Sequence, residues 1–115
     1  ILKSSSDLIK AQATAINNTH TRFVYVIKIK NKKINRNLLI KKLKKIGIST
    51  KPYLPSIHLF DFYKKQFGFK KGDFPVSEET SNYSLALPLY IGLTKSDCYS
   101  IINKIEKAIM FCNFS

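Results

Sequence analysis

The amino-acid sequence predicts an α/β domain of the two-layer α+β kind, with helices packed on a small mixed or antiparallel sheet of about three strands. The chain has 115 residues, of which 44% are hydrophobic, enough for one hydrophobic core. Short β-branched or aromatic segments alternate with segments of helical spacing. The predicted strands are too few for a doubly wound parallel sheet, which favours helices packed on one small sheet.

The segment before the first clear strand, residues 3–20, is polar and has only a weak helical pattern. We expect residues 1–19 to be the tail of an upstream inter-domain helix and a linker, and residues 20–115 to form the domain. The chain starts at Ile1, and its one methionine is Met110. We therefore expect the chain to be a piece of a longer protein, or a protein whose start was removed.

The first strand and the first helix have clear local signals. Phe23–Ile29 is rich in β-branched and aromatic residues, which favours a strand. Asn35 is a typical N-cap for a helix that continues to Ile46. Gly47 is expected to end this helix, because glycine adopts a left-handed backbone at little cost.

Prolines punctuate the middle of the chain. Pro52 and Pro55 keep their segment extended, because a proline disfavours helical backbone at the residue before it. A short helix is predicted around Leu59–Gln66. Pro75 can open a further helix at its first position.

The last third of the chain is predicted to contain one strand and one long helix. Ser84–Tyr90 is apolar enough for a strand, and Pro88 confines it to an edge or to the end of a strand. Thr94 and Asp97 have the spacing of a capping box, which satisfies free backbone N–H groups at a helix start. The buried stripe of the helix that follows is predicted to consist of Ile101, Ile102, Ile105, Ala108 and Ile109.

The chain is strongly basic, with 20 Lys and Arg against 7 Asp and Glu and a formal net charge of +13. A phosphate-binding face for nucleic acid, anionic lipid or a nucleotide substrate would use such a charge. A solvated lysine surface without a ligand is the alternative. We favour the solvated surface, because 18 of the basic residues are lysines and arginine is the better phosphate reader.

This sequence lacks the residues that several classes of site require. Two cysteines without a C-x-x-C motif and two histidines exclude a disulfide framework and a zinc knuckle, so no metal site is predicted. The four glycines are too far apart for a phosphate-binding loop. The longest apolar runs are far shorter than a membrane span, so no membrane partner is predicted. Residue patterns alone indicate no catalytic triad or carboxylate pair.

A succession of short motifs occupies residues 20–110, and their order and spacing together are more specific than any one of them. They are Phe23-Val24-Tyr25-Val26-Ile27, Asn35-Arg36-Asn37-Leu38, Gly47-Ile48, Thr50-Lys51-Pro52-Tyr53-Leu54-Pro55-Ser56-Ile57-His58-Leu59, Phe67-Gly68-Phe69, Gly72-Asp73-Phe74-Pro75-Val76, Leu85-Ala86-Leu87-Pro88-Leu89-Tyr90 and Leu93-Thr94. This succession resembles the C-terminal small domain of the DegT/DnrJ/StrS family of sugar aminotransferases, with members of the perosamine-synthase type closest.

The resemblance implies part of a fold-type I enzyme that uses pyridoxal 5′-phosphate (PLP) and acts as a homodimer in the cytoplasm. Such enzymes transfer an amino group, usually from glutamate, to a keto group of a nucleotide-linked deoxysugar for cell-surface polysaccharides. In the family, the lysine that holds PLP lies in the large N-terminal domain, and no stretch of this sequence matches it. We therefore expect no catalytic residue here, no PLP bound by this chain alone and no activity of the chain alone, and we assign no cofactor-binding residues.

The resemblance also implies which segment lies nearest the substrate. Lys51 stands where relatives often have Arg, and it is expected to contact phosphate or a sugar hydroxyl. Tyr53 stands where many relatives carry His or Tyr, and His58 matches a commonly shared His. We expect these three residues to bind substrate. Phe60-Asp61 replaces a usual Gln-Pro beside this segment, which leaves the identity of the sugar open.

Two alternative functions remain open. One is an interaction or oligomerisation remnant of a split gene that complements a separate large-domain chain. The other is a basic nucleic-acid-binding module, which we rank last. If the chain is a small domain on its own, it exposes an apolar face that the large domain would cover, which predicts self-association or marginal stability.

Overall fold

A computed structural model describes residues 8–112 of the chain. The strands in this range are β1 (Ile9–Ala11), β2 (Tyr25–Ile29), β3 (Lys51–Pro52) and β4 (Ser84–Leu87). The helices are α1 (Arg36–Lys45), α2 (Asp61–Phe67), α3 (Pro75–Tyr83) and α4 (Lys95–Cys112), and a 3₁₀ turn at Ile57–Leu59 precedes α2. No helix within residues 8–112 has both the length and the apolar character needed to cross a lipid bilayer.

The four strands form one antiparallel sheet in the order β1-β2-β4-β3. At its centre Ile27 of β2 lies opposite Leu85 of β4, and both side chains are fully buried. At one edge Lys51 of β3 lies opposite Ala86 of β4. The predicted fold class, a small antiparallel sheet with helices packed on it, is confirmed.

The sequence predicts about three strands, and β1 is the additional strand in the structure. Residues 1–19 were expected to be the tail of a helix and a linker, and within the described part of that range Ile9–Ala11 instead pairs with β2 as an edge strand. Ile9 lies opposite Ile29, and both are buried, so the tertiary contact outweighs the weak helical spacing. Residues 1–7 of the expected helix lie outside the described residues. The boundary between residues 1–19 and 20–115 stays a prediction.

Helix α1 begins where its sequence predicts and ends one residue before the predicted Ile46. The side-chain oxygen of Asn35 accepts hydrogen bonds from the backbone N–H groups of Asn37, at 2.9 Å, and Leu38, at 3.2 Å. These bonds satisfy two of the four N–H groups that a helix start leaves free. After the helix, Gly47 has φ +81°, in the left-handed region that glycine tolerates.

Helix α4 also starts on the predicted capping box. The Thr94 hydroxyl donates to the Asp97 carboxylate at 2.6 Å and accepts the Asp97 backbone N–H at 3.1 Å. The hydrogen bonds that the Asp97 carboxylate accepts from the Thr94 hydroxyl and the Thr94 backbone N–H hold the pKa of the Asp97 carboxyl below its usual value. The capping box therefore fixes the residue at which α4 starts.

The hydrophobic core lies between the sheet and the helices α1 and α4. Leu39 and Leu43 of α1 meet Ile105 and Ile109 of α4 in this core, and all four side chains are fully buried. Of the predicted stripe of α4, Ile101 is only partly buried. Helix α3 contacts β2. Leu85 of β4 belongs to this core, and β4 pairs with β3.

The strands are shorter than the sequence predicts at two ends. β2 begins at Tyr25, and Phe23 is 87% exposed. β4 ends at Leu87, directly before Pro88, which has no N–H group to donate to a neighbouring strand. The predicted strand to Tyr90 is therefore wrong in its last three residues.

Candidate functional site

The candidate substrate segment, residues 50–58, runs from the sheet edge into the 3₁₀ turn. It starts with β3, whose Pro52 lies opposite Leu85. Leu54 has φ +39°, a left-handed backbone that is strained for a residue with a branched side chain. The Thr50 side chain is buried, and its hydroxyl has no hydrogen-bond partner among the described residues. Strain and an unpaired buried hydroxyl both mark this segment as one that its surroundings hold in place.

His58 ends the segment and is buried. Its Nε2 atom lies 3.0 Å from Oε1 of Glu78, on helix α3, twenty residues further along the chain. The His58 ring also packs against Phe74, with ring centroids 4.8 Å apart, and edge-on against Phe69 at 6.4 Å. The imidazole is therefore held by a carboxylate at Nε2 and by two aromatic rings packed against it.

Glu78 connects three parts of the chain through one carboxylate. The same Oε1 atom accepts the backbone N–H of Gly72 at 2.8 Å. This hydrogen bond lowers the pKa of the Glu78 carboxyl below its usual value, burial opposes it, and the bond to His58 lowers the pKa further. Glu78 thereby ties the substrate segment to the turn at Gly72 and to α3.

A cavity of about 1070 Å³ opens beside this pair. Tyr53 and His58 both line it. Lys51 does not line it, and its side chain is exposed on β3. The structure thus brings two of the three predicted site residues to one cavity and leaves the third at the sheet edge. No lysine is among the residues that line this cavity, so the cavity does not fit the covalent attachment that PLP requires.

The rim of the cavity is apolar and exposed. Five rim side chains are between 45% and 79% exposed, and we call them the apolar rim: Leu54, Ile57, Phe60, Phe74 and Val76. Exposed apolar side chains that cluster in this way are typical of surfaces that contact another protein or ligand.

The lysines are spread over the surface rather than gathered at the cavity. Glu79 makes ion pairs with Lys28 and Lys32, each with an N–O distance of 2.7 Å. These two hydrogen bonds lower the pKa of the Glu79 carboxyl to about 2. The four lysines of α1 are exposed: Lys41, Lys42, Lys44 and Lys45.

Sequence reasoning did not identify Glu78 as a member of the site. A carboxylate in the first turn of a helix is usually explained by the positive end of the helix dipole, and Glu78 lies in the first turn of α3. The Glu78 carboxylate instead bonds to His58 and Gly72. The sequence signal for the contact between His58 and Glu78 is a glutamate near the start of a helix and a histidine twenty residues before it. This pattern does not show that the two side chains touch.

Comparison with known proteins identifies a family to which this chain is similar. The family model of the DegT/DnrJ/EryC1/StrS aminotransferase family matches residues 2–106. The uncharacterized protein MJ1066 of Methanocaldococcus jannaschii is 39% identical over 84 residues, which are 73% of this chain and 22% of that protein. The spore coat polysaccharide biosynthesis protein SpsC of Bacillus subtilis is 30% identical over 93 residues, which are 78% of this chain and 24% of SpsC.

Solved structures share the fold. The PLP form of Spr1654 from Streptococcus pneumoniae superposes with a TM-score of 0.82 at 22% identity, over 94% of this chain and 28% of that one. PseC of Helicobacter pylori, an aminotransferase involved in the biosynthesis of pseudoaminic acid, superposes with a TM-score of 0.77 at 16% identity, over 90% of this chain and 28% of PseC. The chain thus spans about a quarter of the length of the proteins it matches.

Proposed function

This chain belongs to the DegT/DnrJ/EryC1/StrS aminotransferase family, and from that membership we propose that it is the C-terminal small domain of a PLP-dependent sugar aminotransferase. The parent enzyme would transfer an amino group from glutamate to a keto group of a nucleotide-linked deoxysugar, in the synthesis of cell-surface polysaccharide. The polysaccharide role is supported by the name of SpsC, the spore coat relative. The perosamine-synthase subtype stays a prediction, as do the homodimer and the cytoplasmic location.

One observation carries the proposal for the site. The segment that resembles the family's substrate segment places Tyr53 and His58 on one cavity, and a buried carboxylate fixes its far end. In this proposal Tyr53 contacts the sugar directly. His58 acts by holding the segment in place, since its Nε2 atom is engaged by Glu78. Lys51, exposed at the adjacent edge, would approach a phosphate as a point charge.

The chain alone is proposed to be inactive, because the cavity lacks a lysine that could hold PLP. The test mixes the purified 115-residue chain with PLP, glutamate and a nucleotide-linked keto-deoxysugar. We expect no lysine Schiff base that persists after free PLP is removed by dialysis, and no release of 2-oxoglutarate. A stable Schiff-base spectrum or turnover by the chain alone would contradict this part of the proposal.

The binding role of the segment is tested by titrating the ¹⁵N-labelled chain with UDP-N-acetylglucosamine as the probe. We expect amide shifts concentrated in residues 50–58. Lys51→Ala is expected to weaken binding by about tenfold, the value of one hydrogen bond to a charged group, and Tyr53→Ala by about fivefold, the value of one hydrogen bond to a neutral sugar hydroxyl. Lys45→Ala removes the same charge from the exposed face of α1 and is the matched control. Shifts centred on α1 instead, or equal losses for Lys45→Ala, would show that the probe binds the lysine surface.

The apolar rim supports a further part of the proposal, that the rest of the aminotransferase covers it. Leaving a few hundred Å² of apolar surface in water costs several kcal/mol at about 25 cal/mol per Å². The chain alone is therefore expected to self-associate or to be marginally stable. Replacing Phe60 and Val76 with serine, both on the rim, should shift sedimentation profiles toward the monomer. A wild-type chain that sediments as a stable monomer at all concentrations would contradict this expectation.

The same rim favours the interaction remnant of a split gene as the second candidate. Co-purification with a separate large-domain chain would support the split-gene remnant. It would count against a small domain that belongs to one continuous enzyme chain. Nucleic-acid binding is favoured least, since Lys28 and Lys32 are both paired with Glu79. Affinity for DNA or RNA that stays near background at about 150 mM salt would exclude it.

A further inference from the structure

A second cavity, of about 340 Å³, lies where β2 begins, β4 ends and α4 starts. It shares no residue with the cavity that holds Tyr53 and His58. Its walls are largely apolar and include Leu87, Leu89, Leu93, Ile101 and Ile102. This volume lies within the range of small-molecule sites, which typically combine apolar walls with a few convergent polar groups.

Three of the residues that line this second cavity have polar side chains: Arg22, Tyr25 and Cys98. Burial raises the pKa of the Tyr25 phenol, an effect that Arg22 opposes and Cys98 reinforces. The phenol is therefore protonated at neutral pH and can donate a hydrogen bond. No aspartate or glutamate lines the cavity, so the Arg22 charge is not neutralised from within it.

The backbone at Arg22 is held in an unusual conformation. Its φ is +54°, a left-handed value that costs energy for a non-glycine residue. The ring atom Nδ1 of His20 accepts the Arg22 backbone N–H at 2.8 Å and fixes this conformation. A strained residue that is fixed locally and lines a cavity is typical of a binding site, where the strain is offset by the surroundings.

We propose that this second cavity binds a small carboxylate with an apolar body. The carboxylate oxygens accept hydrogen bonds from the Arg22 guanidinium and the Tyr25 hydroxyl, and the apolar body lies against the leucine and isoleucine walls. A carboxylate fits because it is the anion that an arginine and a neutral phenol bind together through charge-assisted hydrogen bonds. The proposal is independent of the aminotransferase function, since it uses none of the residues of the substrate segment.

The test compares three ligands of equal length on the full 115-residue chain: hexanoate, 1-hexanol and hexylammonium. Binding is followed by amide shifts near Tyr25 and Cys98. Hexanoate is expected to bind about tenfold more tightly than 1-hexanol, and hexylammonium to bind more weakly than either. Equal affinity for hexanoate and 1-hexanol would overturn the proposal, because the cavity would then select only for apolar surface.

Variants test whether Arg22 supplies the positive charge that binds the carboxylate. Arg22→Asn removes the cation but keeps a residue that tolerates a left-handed backbone. It is expected to reduce hexanoate affinity about tenfold and to leave 1-hexanol unchanged. Lys45→Gln, on the exposed face of α1, is the control for net charge. Unchanged hexanoate binding by Arg22→Asn would overturn the proposal.

The two cysteines give a readout that needs no variant. Cys98 lines the cavity and Cys112, at the end of α4, does not. Hexanoate is expected to slow alkylation of Cys98 by iodoacetamide severalfold and to leave Cys112 unchanged, as measured by mass spectrometry of each peptide. Equal protection of both cysteines, or of neither, would contradict binding at this cavity even if Arg22→Asn fails to fold.

Discussion

Replacing Ile105 with alanine tests whether α4 is fastened to the sheet as described. The Ile105 side chain is fully buried between α4, α1 and the sheet. The change removes three carbon atoms, worth about 2.4 kcal/mol at about 0.8 kcal/mol per buried carbon. The cavity left behind adds to this loss, so we expect the free energy of unfolding to fall by about 3 to 4 kcal/mol. A single domain of this size has about 5 to 15 kcal/mol in total.

The chain offers a matched control for this measurement. Ile91 lies in the turn before α4 and is fully exposed, so Ile91→Ala makes the same chemical change without removing a buried contact. It should alter stability by less than about 0.5 kcal/mol. Both variants are compared with the wild type by urea unfolding, followed by far-UV circular dichroism, with equal m-values as the check on two-state behaviour. A loss below about 1 kcal/mol for Ile105→Ala, or similar losses for both variants, would refute the packing of α4.

Three further predictions concern electrostatics, capping and an unpaired hydroxyl. Because the pKa of the Glu79 carboxyl is about 2 in the folded chain against a usual 4.5, its ion pairs stabilise the fold above about pH 4.5, and this stabilisation is lost as the pH falls toward 2. Glu79→Gln should flatten the fall of the thermal midpoint over that range, and an equal change from Glu106→Gln would contradict the assignment. Asn35→Ala should cost about 1 kcal/mol in urea unfolding and Asn35→Asp much less, whereas equal costs would exclude the cap. Thr50→Val removes a buried hydroxyl that has no partner among the described residues, so it should leave the urea midpoint unchanged or raise it; a loss above about 1 kcal/mol would reveal a hidden hydrogen bond.

Local chemistry made much of the fold predictable. The N-cap Asn35, the helix-ending Gly47 and the box of Thr94 and Asp97 each act within a few residues, so the sequence pattern contains the whole interaction. The long helix α4 follows from its apolar spacing for the same reason.

Contacts between distant residues were not predictable in the same way. Strand β1 has three residues and no strong β signal, and it is fixed by the pairing of Ile9 with Ile29 across the sheet. The contact of His58 with Glu78 joins residues twenty positions apart, and neither residue type specifies the other. In the candidate site, the residues that resemble the family motif were found from sequence, and the carboxylate that holds them was not.

The position of β3 at the edge of the sheet determines how long residues 50–58 wait for their partners while the chain is being synthesised. The neighbour of β3 in the sheet is β4, more than thirty residues later, and the buried partner of His58 also lies downstream. A ribosome adding about 5 to 20 residues per second exposes residues 50–58 for seconds before either partner emerges. During that interval the segment with Tyr53 has no sheet to join. Newly made chains would therefore be open to proteases and chaperones there, and rare codons between β3 and β4 would lengthen the exposure.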